Sequence, residues 1–157
     1  MRLYIVRHGE AEGQRSTDAA RVLTERGRQQ VSDLWQRLGS EGITPRRVWC
    51  SPYLRARQTA ERLISCFPGV ALEEWPDLTP EGDPQRVIDG LTARGIADNC
   101  VLVSHMPMVS LLTALLTGGE RYPFPLAGVA CIDLEAPISG CGRLLWLVSP
   151  ESKARSE

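Results

Sequence analysis

The sequence predicts a single three-layer α/β/α domain, with a mostly parallel central sheet and an antiparallel C-terminal edge. Short runs of continuously apolar residues, typical of strands buried on both faces, alternate with stretches whose apolar residues recur at helical spacing. The 157 residues correspond to one domain of ordinary size. No linker or internal repeat divides them, so we expect residues 1–150 to form the domain and residues 151–157 to form a polar, disordered tail.

The first fifty residues predict two strands and one helix. The apolar run Leu3–Val6 indicates a buried strand, and the polar residues 10–22 indicate a loop. We expect a helix that begins after the N-cap Thr24 and ends at Gly39. Its apolar residues recur at helical spacing: Val31, Leu34, Trp35 and Leu38. Val48–Cys50 indicates the second strand.

A second helix is predicted directly after this strand. Ser51 and Pro52 are typical of an N-cap and a first helical position, and Pro68-Gly69 is typical of a helix end. The residues expected on its inward face are Leu54, Ala56, Ala60, Leu63, Ile64 and Phe67. Residues 70–82 are rich in proline and irregular, with room for one short strand.

The second half of the chain continues the alternation of helices and strands. Residues 83–95 predict a helix that opens with Asp-Pro, and the apolar residues 100–103 predict the third strong strand. Residues 106–117 predict an apolar helix that ends at a Gly-Gly pair. Two last strands, over 129–134 and 144–148, can pair as the antiparallel edge.

Composition and charge exclude several classes of function. The 18 Lys and Arg residues against 19 Asp and Glu residues give a net charge of −1, which does not favour nucleic-acid binding. No apolar run approaches a membrane span, and the apolar stretch near the first residue is too short for a signal peptide. The five cysteines lack the spacing of a zinc site, and a cytoplasmic location is expected. Cys50, Cys100 and Cys131 lie in short apolar runs, so we expect them to be packed thiols.

The two histidines of the chain occupy equivalent positions. His8 and His105 each follow the carboxyl end of a predicted buried strand. Because the carboxyl ends of parallel strands form the ligand-binding edge of such a sheet, the two imidazoles meet if their strands are neighbours. The guanidinium of Arg7 would repel a protonated His8 and so favour the neutral, nucleophilic imidazole.

A second arginine is expected at the same edge. Arg55 lies in the first turn of the predicted helix after Val48–Cys50, and helical side chains lean toward the N-terminus of their helix. Arg7, Arg55 and the helix start would then form a binding site for a phosphate. Arg57 points elsewhere and is expected in solvent. A solvated rim is also expected for Arg46, Arg47 and Arg62.

Several sequence blocks resemble one enzyme family. The blocks, in order, are Arg7-His8-Gly9-Glu10, Leu23-Thr24-x-x-Gly27, Ser51-Pro52-x-x-Arg55-Ala56-x-Gln58-Thr59-Ala60 and Val103-Ser104-His105. Together they resemble the histidine phosphatase superfamily, in the branch that includes phosphoglycerate mutases. Two further segments are similar to its SixA-type phosphohistidine phosphatases: Leu78-Thr79-Pro80-x-Gly82-Asp83 and His105-Met106-Pro107-Met108-Val109.

The resemblance implies roles for four residues. His8 would be the nucleophile and would be phosphorylated transiently, while Arg7, Arg55 and His105 would bind the phosphoryl group. This agrees with the reading of the residues themselves, because phosphoryl transfer depends mainly on alignment and on stabilisation of charge. The guanidinium groups would take the place of Mg²⁺, so neither a metal nor another cofactor is expected.

The sequence departs from the mutase-like relatives in two places. Gln14 stands roughly where those relatives place a phosphate-binding Asn, and the Glu that serves them as general acid has no clear counterpart. The possible proton donors are Glu10 and Glu81, and the other carboxylates near the second of these are Glu73, Glu74, Asp77 and Asp83. On sequence grounds Glu81 and these neighbours are also ordinary surface or capping carboxylates, whereas Glu10 directly follows the motif and is a candidate for a place near the pocket.

The lack of a clear general acid affects which class of substrate the sequence favours. Without a proton donor an alkoxide is a very poor leaving group, whereas an imidazole with a pKa of about 6.5 can depart neutral. The sequence therefore favours hydrolysis of phosphohistidine on a protein, such as a phosphotransfer domain. A phosphomonoesterase or mutase-like enzyme for a small metabolite, a non-catalytic phosphate-binding module and a His/Cys metal site are the alternatives.

Overall fold

A computed structural model describes residues 1–13 and 16–152 and contains a six-stranded sheet with helices on both faces. The strands are β1 (Arg2–Arg7), β2 (Arg47–Cys50), β3 (Ala71–Glu74), β4 (Cys100–Ser104), β5 (Val129–Leu134) and β6 (Gly142–Val148). The helices are α1 (Glu25–Ser40), α2 (Leu54–Ile64), α3 (Pro84–Ala93) and α4 (Met108–Thr117). Short 3-10 turns lie at Asp18–Ala20 and Pro76–Leu78.

The strand order confirms the predicted fold class. Across the sheet the order is β3-β2-β4-β1-β5-β6. The pairs β3-β2, β2-β4 and β4-β1 are parallel, whereas β5 and β6 form the antiparallel edge. In the register of β1 and β4, Arg7 lies opposite Ser104, so the residues that follow them leave the sheet side by side.

Each face of the sheet buries its own apolar core. Along β1, Leu3 and Ile5 pack toward α3 and α4, while Tyr4 and Val6 pack toward α1 and α2. Successive side chains of a strand point to opposite faces, so covering both faces requires a continuous apolar run. This is why the strands read as short apolar stretches in the sequence. Three predicted core thiols are buried within these layers: Cys50, Cys100 and Cys131.

The predicted start of α2 is wrong. The helix begins at Leu54 with Tyr53 as its N-cap residue, and Pro52 lies before it. Instead of capping the helix, the Ser51 hydroxyl accepts a hydrogen bond from the backbone N–H of Tyr53 at 3.2 Å. The helix also ends before Phe67, which packs against the core from the turn that follows.

Other boundaries differ by smaller amounts. Gly39 lies inside α1, which continues to Ser40, and β6 begins at Gly142. The short strand expected within residues 70–82 is β3. Gln14 and residues 153–157 of the predicted tail lie outside the described residues. Within the described part of the chain, none of the helices is long and apolar enough to cross a membrane.

Candidate active site

The two histidines meet at the carboxyl edge of the sheet. His8 directly follows β1 and His105 directly follows β4, and because these strands are parallel neighbours their ring centroids lie 5.2 Å apart. Both side chains are buried, with 7% of His8 and 1% of His105 exposed. The structure thus brings together the pair on which the predicted site depends.

The hydrogen bonds of His8 define which of its ring nitrogens carries the proton. Nδ1 lies 2.7 Å from the carbonyl oxygen of Gly9. Because a carbonyl only accepts hydrogen bonds, Nδ1 is the protonated nitrogen and Nε2 of the neutral ring keeps its lone pair. The guanidinium Nε of Arg55 lies 3.4 Å from that Nε2 and donates to it. His8 therefore presents an unprotonated nitrogen next to a cation.

The surroundings keep both rings neutral. Burial lowers the pKa of His8 to about 4; the Gly9 carbonyl opposes this shift, and the positive charges of Arg55 and Arg7 add to it. The pKa of His105 falls to about 3, mainly through burial and then through the nearby His8 and Arg55. At neutral pH both imidazoles are therefore uncharged, as a nitrogen nucleophile requires.

Two hydrogen bonds to Asp18 hold the Arg55 guanidinium at the site. It lies in the first turn of α2, and only 5% of it is exposed. Its Nη1 donates to the backbone oxygen of Asp18 at 2.8 Å and its Nη2 donates to the Asp18 carboxylate at 3.1 Å. These two bonds fix the guanidinium so that its Nε faces His8.

Arg57 lies where the helix-face argument places it. Two residues along the same helix as Arg55, it forms ion pairs with Glu61 and Glu74 at 3.2 and 2.7 Å, and its side chain is 37% exposed. Arg55 thus turns toward the sheet edge and Arg57 turns away from it, as expected from their places on the helix.

Two further nitrogens at the site are buried without partners. The Nη1 of Arg7 donates to the carbonyl of Phe124 at 2.8 Å, and the Nε2 of His105 lies 2.8 Å from the Ser51 hydroxyl. Among residues 1–13 and 16–152, however, Arg7 Nε and His105 Nδ1 have no hydrogen-bond partner. Buried polar groups are nearly always paired, so these two positions are suited to a bound anion.

The backbone that follows His8 is held by close packing. The Gly9 N–H donates to the Thr59 hydroxyl at 3.0 Å, and that hydroxyl donates to the Arg55 carbonyl at 2.8 Å. A Cβ on Gly27 would lie 2.3 Å from the backbone oxygen of Glu10, so only glycine allows α1 to approach the loop this closely. Gly27 of the second sequence block and Thr59 of the third therefore fix the position of the segment Gly9-Glu10 in the first.

The sequence reasoning missed three residues of this site. The Asp18 carboxylate forms ion pairs with both Arg55 and Arg21. The Nη1 of Arg21 donates to it at 3.1 Å. Those hydrogen bonds, first from Arg21 and then from Arg55, hold the pKa of Asp18 below its usual value. Tyr53 packs its ring edgewise against His105 at 5.2 Å and lies next to the Arg55 guanidinium. None of the three carried a sequence signal, since even Tyr53, inside the block that contains Arg55, stands at one of its unspecified positions.

The two proton-donor candidates lie in different surroundings. The Glu10 carboxylate accepts a hydrogen bond from the Thr24 hydroxyl at 2.8 Å, at the start of α1. The exposed Glu81 accepts one from the Tyr53 hydroxyl at 3.3 Å. The neighbouring carboxylates are engaged elsewhere: Glu73 with Arg47, Glu74 with Arg57, Asp77 with Arg86, and Asp83 as the N-cap of α3.

Taken together, the side chains are suited to a tetrahedral oxyanion next to the unprotonated nitrogen of a neutral imidazole. Arg7 and Arg55 provide two positive charges, and His105 provides a further polar nitrogen in a site with little water access. In the described ranges 1–13 and 16–152, no group of three or more His, Cys, Asp or Glu side chains is arranged to hold a metal ion.

Comparison with known proteins identifies the family. The model of the histidine phosphatase superfamily (branch 1) matches residues 3–79. The chain is 36% identical over 156 residues to the phosphohistidine phosphatase SixA of Escherichia coli K12, covering 96% of this chain and 94% of that protein. It is 35% identical over 143 residues to the SixA homolog of Haemophilus influenzae, covering 81% of this chain and 86% of that one.

A solved structure agrees with these sequence matches. The structure of the protein histidine phosphatase SixA complexed with tungstate superimposes with a TM-score of 0.86 at 34% identity, covering 96% of this chain and 97% of that chain. Similarity in sequence and in fold thus extends over nearly the whole length of both proteins. The chain belongs to the histidine phosphatase superfamily.

Proposed function

We propose that this protein is a metal-independent phosphatase that hydrolyses phosphohistidine on a protein, through a covalent intermediate on His8. The observation that carries the proposal is the state of the His8 ring, which is neutral, buried and unprotonated at Nε2 beside Arg55. Relatives named phosphohistidine phosphatases, at 35–36% identity, support the same activity. The tungstate in the SixA structure is a tetrahedral oxyanion, as phosphate is.

The reaction proceeds in two in-line displacements. First, Nε2 of His8 attacks phosphorus and the bond to the leaving group breaks, which leaves the phosphoryl group on His8. Arg7, Arg55 and the unpartnered Nδ1 of His105 stabilise the equatorial oxygens of the transition state. Water then attacks the phosphorus from the side that the leaving group vacated. This second displacement releases inorganic phosphate and restores the neutral ring of His8.

The surroundings of His8 suit both steps. Its Nδ1–H donates to the Gly9 carbonyl, which orients the ring, while burial and the positive charges of Arg55 and Arg7 keep the ring neutral until phosphorus binds. Once phosphorylated, the ring carries positive charge, and the phosphoryl oxygens that it gains are paired with Arg7 and Arg55. The lowered pKa makes the His8 ring a weak base, and the hydrogen bond to Gly9 keeps the ring in one orientation for attack on phosphorus.

The proposed substrate is a phosphorylated protein such as a phosphotransfer domain. An imidazole is a better leaving group than a sugar alkoxide, so phosphohistidine places the smaller demand on a general acid. We also propose a cytoplasmic location, because five cysteines without disulfide-type spacing suit a reducing compartment.

The proposal is tested with a phosphotransfer domain carrying ³²P on histidine. We expect rapid release of inorganic phosphate and a transient label on His8, trapped by alkaline denaturation and located by mass spectrometry. His8→Ala should lose both the label and the turnover, whereas the matched variant Arg57→Ala should keep both.

Three results would contradict the proposal. Turnover that persists in His8→Ala would exclude the covalent intermediate. Binding of phosphate without any turnover would indicate a binding module. Hydrolysis of sugar phosphates faster by orders of magnitude than hydrolysis of the labelled domain would indicate a metabolite phosphatase.

A further inference from the structure

An aromatic ring and a carboxylate adjoin the phosphate site on one side. The Tyr53 ring packs edgewise against His105, and the Arg55 guanidinium carbon lies 5.2 Å from the centroid of the same ring. The Tyr53 hydroxyl donates to the carboxylate of Glu81, with its two oxygens at 3.3 and 3.5 Å. Burial, and then the negative charge of Glu81, raise the pKa of Tyr53, so this hydroxyl stays a donor.

The loop that carries Glu81 is firmly anchored. The Gly82 N–H donates to the Thr79 carbonyl at 3.0 Å, which closes a turn with Glu81 near its tip. The Ser104 hydroxyl, at the end of β4, donates to the Leu78 carbonyl at 2.6 Å. A Cβ on Gly82 would lie 2.2 Å from the backbone oxygen of Asp77, so the turn packs tightly on the segment before it. The backbone at Glu81 is therefore held in place relative to the strand that precedes His105.

An imidazole leaving group does not need a proton on the nitrogen whose bond to phosphorus breaks. When the ring nitrogen distant from phosphorus is protonated, the ring is cationic and departs as neutral imidazole as soon as the P–N bond breaks. A carboxylate that accepts a hydrogen bond from that distant N–H stabilises the cationic form and so raises its population. The useful position for such a carboxylate is beyond the phosphoryl group, at the far end of the departing ring.

We propose that Tyr53 and Glu81 form the leaving-group subsite, where the Tyr53 ring borders the imidazole of the substrate and the Glu81 carboxylate accepts a hydrogen bond from its distant N–H. The proposal rests on the proposed function and adds to it the recognition of the departing ring. Glu81 is then a catalytic residue that contacts substrate, and the Tyr53 hydroxyl is a positioning group that orients the carboxylate.

The step balances in atoms and electrons. The bond from phosphorus to the substrate nitrogen breaks, and its electron pair returns to the ring, which changes from imidazolium to neutral imidazole. The new bond forms between phosphorus and Nε2 of His8. The proton on the distant ring nitrogen stays on the substrate throughout, hydrogen-bonded to Glu81, so Glu81 neither gains nor loses a proton.

The other candidate carboxylate is already engaged. Glu10 accepts a hydrogen bond from Thr24 at the start of α1, and its backbone oxygen packs against Gly27. The Glu81 carboxylate, in contrast, accepts its hydrogen bond from Tyr53, whose ring packs against His105. Of these two carboxylates, Glu81 is the one whose hydrogen-bond partner packs against His105.

The test compares three phosphoryl donors at about pH 8, above the imidazole pKa of about 6.5, where the ring depends on Glu81 to keep its proton. The donors are phosphoimidazole, its analogue methylated on the distant nitrogen, and p-nitrophenyl phosphate. In Glu81→Gln we expect kcat/KM for phosphoimidazole to fall at least 10-fold. The methylated analogue has a fixed charge and no N–H, so it should change less than threefold, as should p-nitrophenyl phosphate.

Two variants serve as controls. Tyr53→Phe keeps the ring but removes the donor to Glu81, so we expect a loss of about threefold to fivefold that is confined to phosphoimidazole. Glu74→Gln removes a carboxylate of the same type that is paired with Arg57, and it should leave all three rates unchanged.

The outcomes separate the subsite from the proposed function. An equal loss on all three donors in Glu81→Gln, or no loss on any, would overturn the leaving-group subsite while the phosphatase activity stands. A wild-type protein that hydrolyses p-nitrophenyl phosphate but neither phosphoimidazole nor the phosphorylated domain would instead overturn the proposed function, and the subsite with it.

Discussion

At the scale of single residues, the proposed nucleophile His8 is kept neutral by its surroundings, without a carboxylate partner among the residues that the structure describes. Many catalytic histidines are oriented by a carboxylate, which raises the affinity of the ring for protons. His8 is oriented by the backbone carbonyl of Gly9, and burial together with Arg55 and Arg7 lowers its pKa to about 4. The result is a ring that is free to attack phosphorus at neutral pH and that is not blocked by a proton.

Replacing the two neighbouring arginines of α2 separately tests the charge model. Arg55→Ala removes the donor next to Nε2 of His8, and we expect kcat/KM to fall at least 100-fold, or about 3 kcal/mol, as for a lost preorganised donor elsewhere. Arg57→Ala breaks only exposed ion pairs with Glu61 and Glu74, which contribute little, so the change should stay below threefold. Steady-state kinetics with the phosphorylated domain measures both, and equal losses would contradict the geometry.

At the scale of secondary structure, the start of α2 shows how a local signal can mislead. Ser followed by Pro is a common helix start, and its side chain usually bonds the backbone of the first turn. Here the Ser51 hydroxyl lies 2.8 Å from Nε2 of His105 and accepts the N–H of Tyr53. The histidine that engages Ser51 is 54 residues away in sequence, so no local pattern could reveal it. The delayed start places Tyr53 at the site.

Two glycines of α1 make a matched pair for testing how this helix positions the site. Gly27→Ala would place a Cβ 2.3 Å from the backbone oxygen of Glu10, and we expect it to lower the free energy of unfolding by about 1–3 kcal/mol and to reduce activity. Gly39→Ala meets only the edge of the Phe67 ring at 3.2 Å, which can shift. Its effect should stay within about 1 kcal/mol, because alanine favours the helix.

Urea unfolding of both variants, together with their kcat, checks this prediction. A Gly27→Ala protein with unchanged stability would mean that α1 and the loop after His8 can separate without cost. A strongly destabilised Gly39→Ala protein would mean that the Phe67 contact, and not the approach to Glu10, dominates the packing of this helix.

At the scale of the whole molecule, the sheet was predictable because its strands are buried on both faces. Apolar runs such as Leu3–Val6 and Cys100–Val103 identify central strands directly, and the histidines that follow them indicate the edge at which the site lies. Contacts between distant loops were not predictable. Asp18 reaches Arg55 across 37 positions and Tyr53 reaches Glu81 across 28, and both depend on a tertiary arrangement that short-range periodicity does not encode.

The stability of the whole protein should depend on the two buried histidines. In the unfolded chain both have a pKa near 6.5, whereas in the folded protein the values are about 4 and about 3. Between pH 6.5 and 4 the unfolded chain therefore binds protons that the folded protein does not, and the free energy of unfolding falls as the pH falls. Each histidine contributes a slope of up to about 1.4 kcal/mol per pH unit.

Urea titrations between about pH 4.5 and 6.5 measure this slope. In His105→Gln one of the two groups is absent, so stability should depend less steeply on pH than in the wild type, whatever the change in absolute stability. Contributions from carboxylates are common to both proteins and cancel in the comparison. Identical slopes would show that His105 titrates normally in the folded state.

The place of β1 in the sheet has a consequence for biosynthesis. This strand directly precedes the proposed nucleophile His8 and is translated before the other strands, yet it lies between β4 and β5, whose residues are translated much later. While the ribosome is still translating the middle of the chain, the nascent β1 has neither neighbour, and its apolar residues stay unprotected. We therefore expect activity to arise only after β5 has been translated, and a nascent chain stalled before β5 to need chaperones and to be inactive.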